Sequence, residues 1–245
     1  MSKNQSKNES SLESILLEEL YDNGVYRLTL NDSNRRNALS EEMMASLSES
    51  INKASTNNAV RVIVIAANGP AFCAGHDLKQ MSAGRNSADN GHNYFTEVFS
   101  KCSSLMRSIT NNPKPIIAEV GGVAAAAGCQ LVACCDLAIA GESARFVTPG
   151  VNIGLFCSTP MVALSRNISN KAAMEMLLTG EMIDSEKAER IGLINRVVKD
   201  ANLTDSAMAM AKVIASKSSM TLKTGKLAFY KQKEMPLEDA YNYAS

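Results

Sequence analysis

Two stretches of this chain repeat one arrangement: a buried strand, a turn of small residues, and the start of a helix. The first is VRVIVIAANGPAFCAGHDLKQM, Val60 to Met81, and the second is PIIAEVGGVAAAAGCQL, Pro115 to Leu131. VRVIVIAA is too rich in β-branched residues for a helix, and the NGP turn stops it. A helix that starts after such a turn leaves its first backbone N–H groups without partners, ready for a ligand oxygen. Either stretch alone reads as an ordinary α/β connection. Together they can offer one N–H each to the same oxygen, which is how an oxyanion hole is built.

The rest of the chain fits an α/β body. Structure is expected from Ile15, with VYRLTL (Val25 to Leu30) as a half-buried strand. Ser40 caps a helix with Glu41 and Glu42 in its first turn and Met43, Met44, Leu47 and Ile51 on its apolar face, giving a β-β-α-β opening. A long helix is expected from Gly91 to Thr110, a short buried one at GCQLVACC and a strand at DLAIA, Asp136 to Ala140. After Thr159 the pattern turns helical: Ala172 to Leu178, Ser185 to Ile191, Leu203 to Ser216, Met220 to Tyr230, and a last helix from Pro236. That last helix runs to Ser245 with no stop signal, which reads as a chain cut short. The opening residues, rich in Ser, Asn, Lys and Glu, read as a disordered tail over 1–14.

Charge and cysteine usage narrow the function classes. Twenty-five Lys and Arg balance twenty-five Asp and Glu, so no global field draws the chain to nucleic acid or an anionic membrane. No apolar run is long enough for a membrane span, and MSKNQSKNESS carries no signal or import pattern. Cytoplasm is therefore the expected compartment, with the mitochondrial matrix reserved for a chain missing its presequence. The six cysteines are spaced without a framework, as reduced buried thiols, and two histidines sixteen residues apart make no zinc site, so no metal is expected. A nicotinamide-dependent dehydrogenase is a poor reading, because no G-x-G-x-x-G follows a predicted strand.

Four blocks resemble one family. They are RRNAL at Arg35 to Leu39, AFCAGHDLKQM, GGVAAAAGCQLVACCDLAIAGESARFVTPGVNIGL, and AMEMLLTGEMIDSEKAERIGLINRVV. In order and spacing, over Leu28 to Val198, they are similar to the enoyl-CoA hydratase/isomerase, or crotonase, family. AAAAGCQL and TPGVNIGLFCSTP look most like its enoyl-CoA hydratase domain-containing protein 3 group. The resemblance implies an α/β fold, a right-handed spiral of β-β-α turns over 15–200 that binds an acyl-CoA thioester. It also implies a helical trimerisation part over 201–245, assembly as a homotrimer or dimer of trimers, and no cofactor beyond the coenzyme A of the substrate. The oxyanion-hole donors would be the N–H groups of His76 and Ala127. Arg35, Arg36, Ala38, Ala74, His76, Asp77, Leu78 and Lys79 would line the coenzyme A site, with Lys79 a point charge near the phosphates.

The acids are what this sequence lacks. The family's two glutamates fall on Gln130 and Gly150, and a third position, acidic in some relatives, falls on Ser158. A glutamine orients water without titrating near neutrality, and glycine offers no side chain. Cys129 and Cys157 flank these positions in sequence, Thr148 and Asn152 are polar neighbours, and His92 falls in the stretch that the resemblance assigns to the variable wall of the acyl pocket. Two readings follow: a crotonase-type enzyme of fatty acid metabolism whose standard hydration is weak or absent, or an inactive acyl-CoA-binding protein.

Overall fold

The computed structural model describes residues 14–245; residues 1–13, which hold nearly all of the expected tail, lie outside the described residues. The chain opens with strands β1 (Leu16–Leu20) and β2 (Val25–Leu30), helix α1 (Glu41–Thr56) and strand β3 (Val62–Ala67), the expected order. Ser40 caps α1 by accepting a hydrogen bond from the Met43 N–H at 3.2 Å, a contact worth about 1 kcal/mol. Next come β4 (Ala71–Cys73), α2 (Leu78–Arg85), α3 (His92–Thr110), β5 (Ile116–Val120), β6 (Val123–Ala125) and α4 (Ala127–Cys134). The remainder is β7 (Leu137–Gly141), β8 (Arg145–Val147), α5 (Ser158–Asn167), α6 (Asn170–Thr179), β9 (Ile183–Asp184), α7 (Ser185–Arg190), β10 (Arg196–Val198), α8 (Leu203–Ala215), α9 (Ser219–Gln232) and α10 (Leu237–Ala244).

The strands divide between two sheets. One has six strands in the order β1-β2-β3-β5-β7-β10, and the other has four in the order β4-β6-β8-β9. Consecutive pairs β3/β4, β5/β6 and β7/β8 each give their first strand to the six-stranded sheet and their second to the four-stranded one. This stacking of β-β-α turns in parallel is the expected crotonase-type α/β spiral. The second sheet corrects one expectation. Residues 123–125 of the supposed small-residue loop form β6, which pairs in parallel with β4 and β8.

The main core lies between the sheets and α1, α3 and α4, and fully buried Phe72 and Phe146 anchor the four-stranded sheet in it. The other face of the six-stranded sheet is covered by α8, whose Ala211 and Ala215 pack on Val25, Val62, Val64 and Ile117. There Glu119 is 5% exposed and paired with Arg27 at 2.8 Å, and it accepts a hydrogen bond from Thr204 Oγ1 at 2.7 Å. A buried carboxylate needs such partners. Helix α9 is tied to the body by Lys226, which donates to Ile109 O, Lys114 O and Asp136 Oδ2 at 3.0, 2.9 and 2.7 Å. Tyr230 donates to the other Asp136 oxygen at 2.9 Å.

Candidate functional site

Parallel pairing of β4 with β6, Ala71 opposite Val123 and Cys73 opposite Ala124, sets the two repeated turns side by side. The contact is close. A Cβ on Gly75, whose φ is +91°, would stand 3.0 Å from Ala125 O and 3.4 Å from Ala127 N. One on Gly128 would stand 2.1 Å from Cys73 O. Glycine is required at both positions because backbone meets backbone there.

Helix α4 is buried along its whole length, and no side chain caps its start. Its N-cap is Ala126, held at φ +50° and ψ −114°, a conformation that costs a residue with a Cβ about 1–3 kcal/mol. Ala126 donates to Val147 O at 2.9 Å, which locks the turn to β8. Among the described residues, the N–H groups of His76 and Ala127 have no backbone acceptor. A buried helix start without a cap calls for a partner from outside the chain.

Four buried side-chain atoms among the described residues have no hydrogen-bond partner: Arg61 Nε, His76 Nδ1, His76 Nε2 and Gln130 Oε1. Three of them flank the paired turns. Native structures rarely leave such groups orphaned, since each costs about 1–3 kcal/mol. The His76 ring packs edge-on against Phe99, 5.4 Å between centroids. Burial lowers its pKa from the ordinary 6.5 by more than the nearby Leu39 backbone raises it, so the imidazole is neutral at pH 7.

The RRNAL segment joins the same site. Leu39 donates to Gly75 O at 2.7 Å and Ala74 to Arg36 O at 3.1 Å. Sequence reasoning passed over Asn37, which is fully buried and whose Nδ2 donates to Asn68 O and Ala71 O at 2.8 and 2.7 Å. An asparagine between two arginines and an apolar pair, in a turn with positive φ at Arg36 and Asn37, was the available signal. Arg35 faces Asp32, Glu42 and Asp77 at 2.6, 3.6 and 3.6 Å, so its charge is largely answered. Asp77 also caps α2, accepting from the N–H groups of Lys79 and Gln80. Ala38 is buried, whereas Arg36, Leu78 and Lys79 are exposed beside the turns.

The three positions that the resemblance matches to family acids differ from one another. Gln130 is 4% exposed, one turn along α4 from Ala127. Gly150 is crowded: a Cβ there would stand 2.7 Å from Leu155 O and 2.9 Å from Cys157 Sγ. Ser158 begins α5 in solvent and donates to Phe156 O at 3.3 Å. The other polar candidates are occupied elsewhere, Thr148 donating to Met176 O and Asn152 to Gly180 O. His92 is exposed at the start of α3. Burial pushes the Cys129 thiol up to about 12 and raises Cys157, so neither is a ready thiolate at neutral pH. Among the described residues, no three His, Cys, Asp or Glu side chains are grouped to hold a metal ion, and no helix is long and apolar enough to cross a membrane.

Along α4, Gln130, Ala133 and Cys134 form one wall of a cavity of about 610 Å³. Helices α3, α5 and α9 complete it, with Tyr230 of α9 facing in and Lys233 and Glu234 just beyond the helix. Its lining includes neither His76 nor Ala127. Gln130 lines the cavity and lies one turn along α4 from Ala127, so the cavity begins beside the paired turns.

The family model described as enoyl-CoA hydratase/isomerase matches residues 21–244. Rat mitochondrial enoyl-CoA hydratase domain-containing protein 3 is 48% identical over 91% of this chain and 72% of its own length. The human protein of that name is 46% identical over the same shares. Among solved structures, an enoyl-CoA hydratase of Mycobacterium smegmatis superimposes with a TM-score of 0.90 at 47% identity, covering 95% of this chain and 88% of its own. Human enoyl-CoA hydratase domain-containing protein 3 superimposes with a TM-score of 0.89 at 44% identity, over 94% and 89%. The word mitochondrial in the relatives' names overturns the cytoplasmic expectation. That expectation rested on the composition of a few opening residues, whereas the body of such a protein carries no physical mark of its compartment.

Proposed function

The chain belongs to the enoyl-CoA hydratase/isomerase family, and from that premise we propose that it binds an acyl-CoA thioester and polarises it with little or no standard hydration. The N–H groups of His76 and Ala127 donate to the thioester oxygen and stabilise the enolate-like charge that develops there. One donor in such a hole is worth about 100- to 1,000-fold in rate. The observation that carries the reading is the clustering of orphan groups: a buried, uncapped α4 start and three unpartnered side-chain atoms on His76 and Gln130.

Coenzyme A lies along RRNAL and the start of α2. Arg36 and Lys79 meet its phosphates, since Arg35 is engaged with three carboxylates. Ala38, Ala74 and Leu78 provide apolar contact, and Asp77 fixes the turn by capping α2.

Hydration also needs a proton taken from water and one delivered to Cα, worth about 100- to 10,000-fold. Gln130 cannot titrate, and a side chain at Gly150 would collide with Leu155 O and Cys157 Sγ. An acyl-CoA-binding role with residual chemistry follows from that crowding. The protein acts in mitochondrial fatty acid metabolism, as a homotrimer or dimer of trimers. Exposed Ile153, Leu155, Met174, Leu178 and Met182 supply apolar surface for that assembly.

Calorimetric titration with crotonyl-CoA, paired with a hydration assay, tests the reading. Binding with turnover about 100-fold or more below a two-glutamate relative is expected. Turnover equal to that relative, or no binding, contradicts it.

A further inference from the structure

The cavity along α4 carries charge that a plain acyl chain does not need. Its floor is apolar, from Met106, Ala133, Cys134 and Ala163, but its rim holds Arg107, Arg166 and Lys233 against a single carboxylate, Glu234. Arg166 is spent on Glu234 at 3.2 Å, and the Lys233 ammonium donates to the Arg166 carbonyl oxygen. Arg107 has no carboxylate partner among the described residues. Its one side-chain hydrogen bond among the described residues runs to Ser104 Oγ at 3.3 Å, at the long end of the range.

We infer that the acyl group bound here ends in a carboxylate, received at the cavity rim by Arg107 with Lys233 and Arg166 behind it. The inference rests on the acyl-CoA reading and specifies its substrate class as dicarboxylic acyl thioesters. The layout follows the order of groups in such a ligand: thioester oxygen at the start of α4, Cα and Cβ beside Gln130, methylenes along Ala133 and Cys134, carboxylate at the rim. A planar guanidinium donates two parallel hydrogen bonds to a carboxylate, whose oxygens accept them, and a terminal methyl has no such acceptors. A methyl end would instead take water from the cations without replacing it.

The test is calorimetric titration of the intact protein with two matched series: adipyl-, suberyl- and sebacyl-CoA against hexanoyl-, octanoyl- and decanoyl-CoA. At least one dicarboxylic member binds tighter than its matched partner by about tenfold or more, and the preference shrinks with added salt. Arg107→Met, an exposed substitution, removes the preference and leaves affinity for coenzyme A alone unchanged. Equal affinity across every matched pair overturns the inference and leaves the acyl-CoA reading standing. A loss of coenzyme A affinity in Arg107→Met also overturns it, because the rim then serves the nucleotide phosphates. Failure of both series to bind overturns the acyl-CoA reading together with this inference.

Discussion

Ala127 and Gln130 lie one turn apart on α4, yet they belong to regions held in place in opposite ways. The first is made of backbone. Its donors are set by β4 pairing with β6, by the tight approach of Gly75 and Gly128, and by Ala126 locked to β8. No side chain at 76 or 127 is needed to supply an N–H. The second is made of side chains, and each position that the resemblance assigns to a family acid holds a residue that cannot exchange a proton near neutrality. A function carried by topology survives substitution as long as no Cβ collides, whereas a function carried by one carboxylate is lost in a single step.

Breaking the backbone region has the largest effect. Gly128→Ala drives a methyl to 2.1 Å from Cys73 O. It costs about 3 kcal/mol, lowers the melting temperature by about 6–12 °C, and removes crotonyl-CoA binding. An unchanged melt breaks the claim that the turns touch through backbone. On the side-chain region, Gln130→Glu with Gly150→Glu fails to regain the about 100-fold that a working general base supplies. It also costs about 1–3 kcal/mol, because Leu155 O and Cys157 Sγ occupy the space. Full hydratase turnover in that double variant makes the site one substitution pair from its relatives.

The imidazole of His76 joins the two regions, and pH separates them. Its folded pKa lies below the ordinary 6.5, so below that value the unfolded chain binds the extra proton and stability falls as pH drops. The slope is at most about 1.4 kcal/mol per pH unit for one proton. His76→Phe keeps the backbone N–H and flattens this acid loss, as denaturant melts at pH 7, 6 and 5 will register. Identical pH profiles contradict a buried neutral imidazole. The smallest expected effect is a gain. Ala126→Gly releases the strain at φ +50°, adds about 1 kcal/mol and leaves binding intact.

Long elements were legible because pattern and environment agree along them. VIVIAA is buried almost throughout and β-branched, and Ser40 caps the helix its position announces. The four-stranded sheet was not legible. Ala71–Cys73 and Val123–Ala125 are three-residue strands of mostly small side chains, too short to show a period, and they exist because the first sheet holds their ends together. The candidate site divides the same way. His76, Ala127 and Gln130 follow from the repeated turn and the family motif, but the crowding at Gly150 depends on how 153–157 folds back. The cavity depends on α9 returning to face α3, and its latch of Lys226, Tyr230 and Asp136 joins residues distant in sequence. Ser158, matched to a family acid on the motif alone, stands exposed at the start of α5.

A crystal structure of the protein with crotonyl-CoA bound tests the central claim most directly. The account predicts a thioester oxygen within about 2.7–3.2 Å of both the His76 and Ala127 nitrogens, with Gln130 the nearest side chain to Cα. A thioester oxygen facing solvent, or coenzyme A bound away from RRNAL and the paired turns, contradicts it.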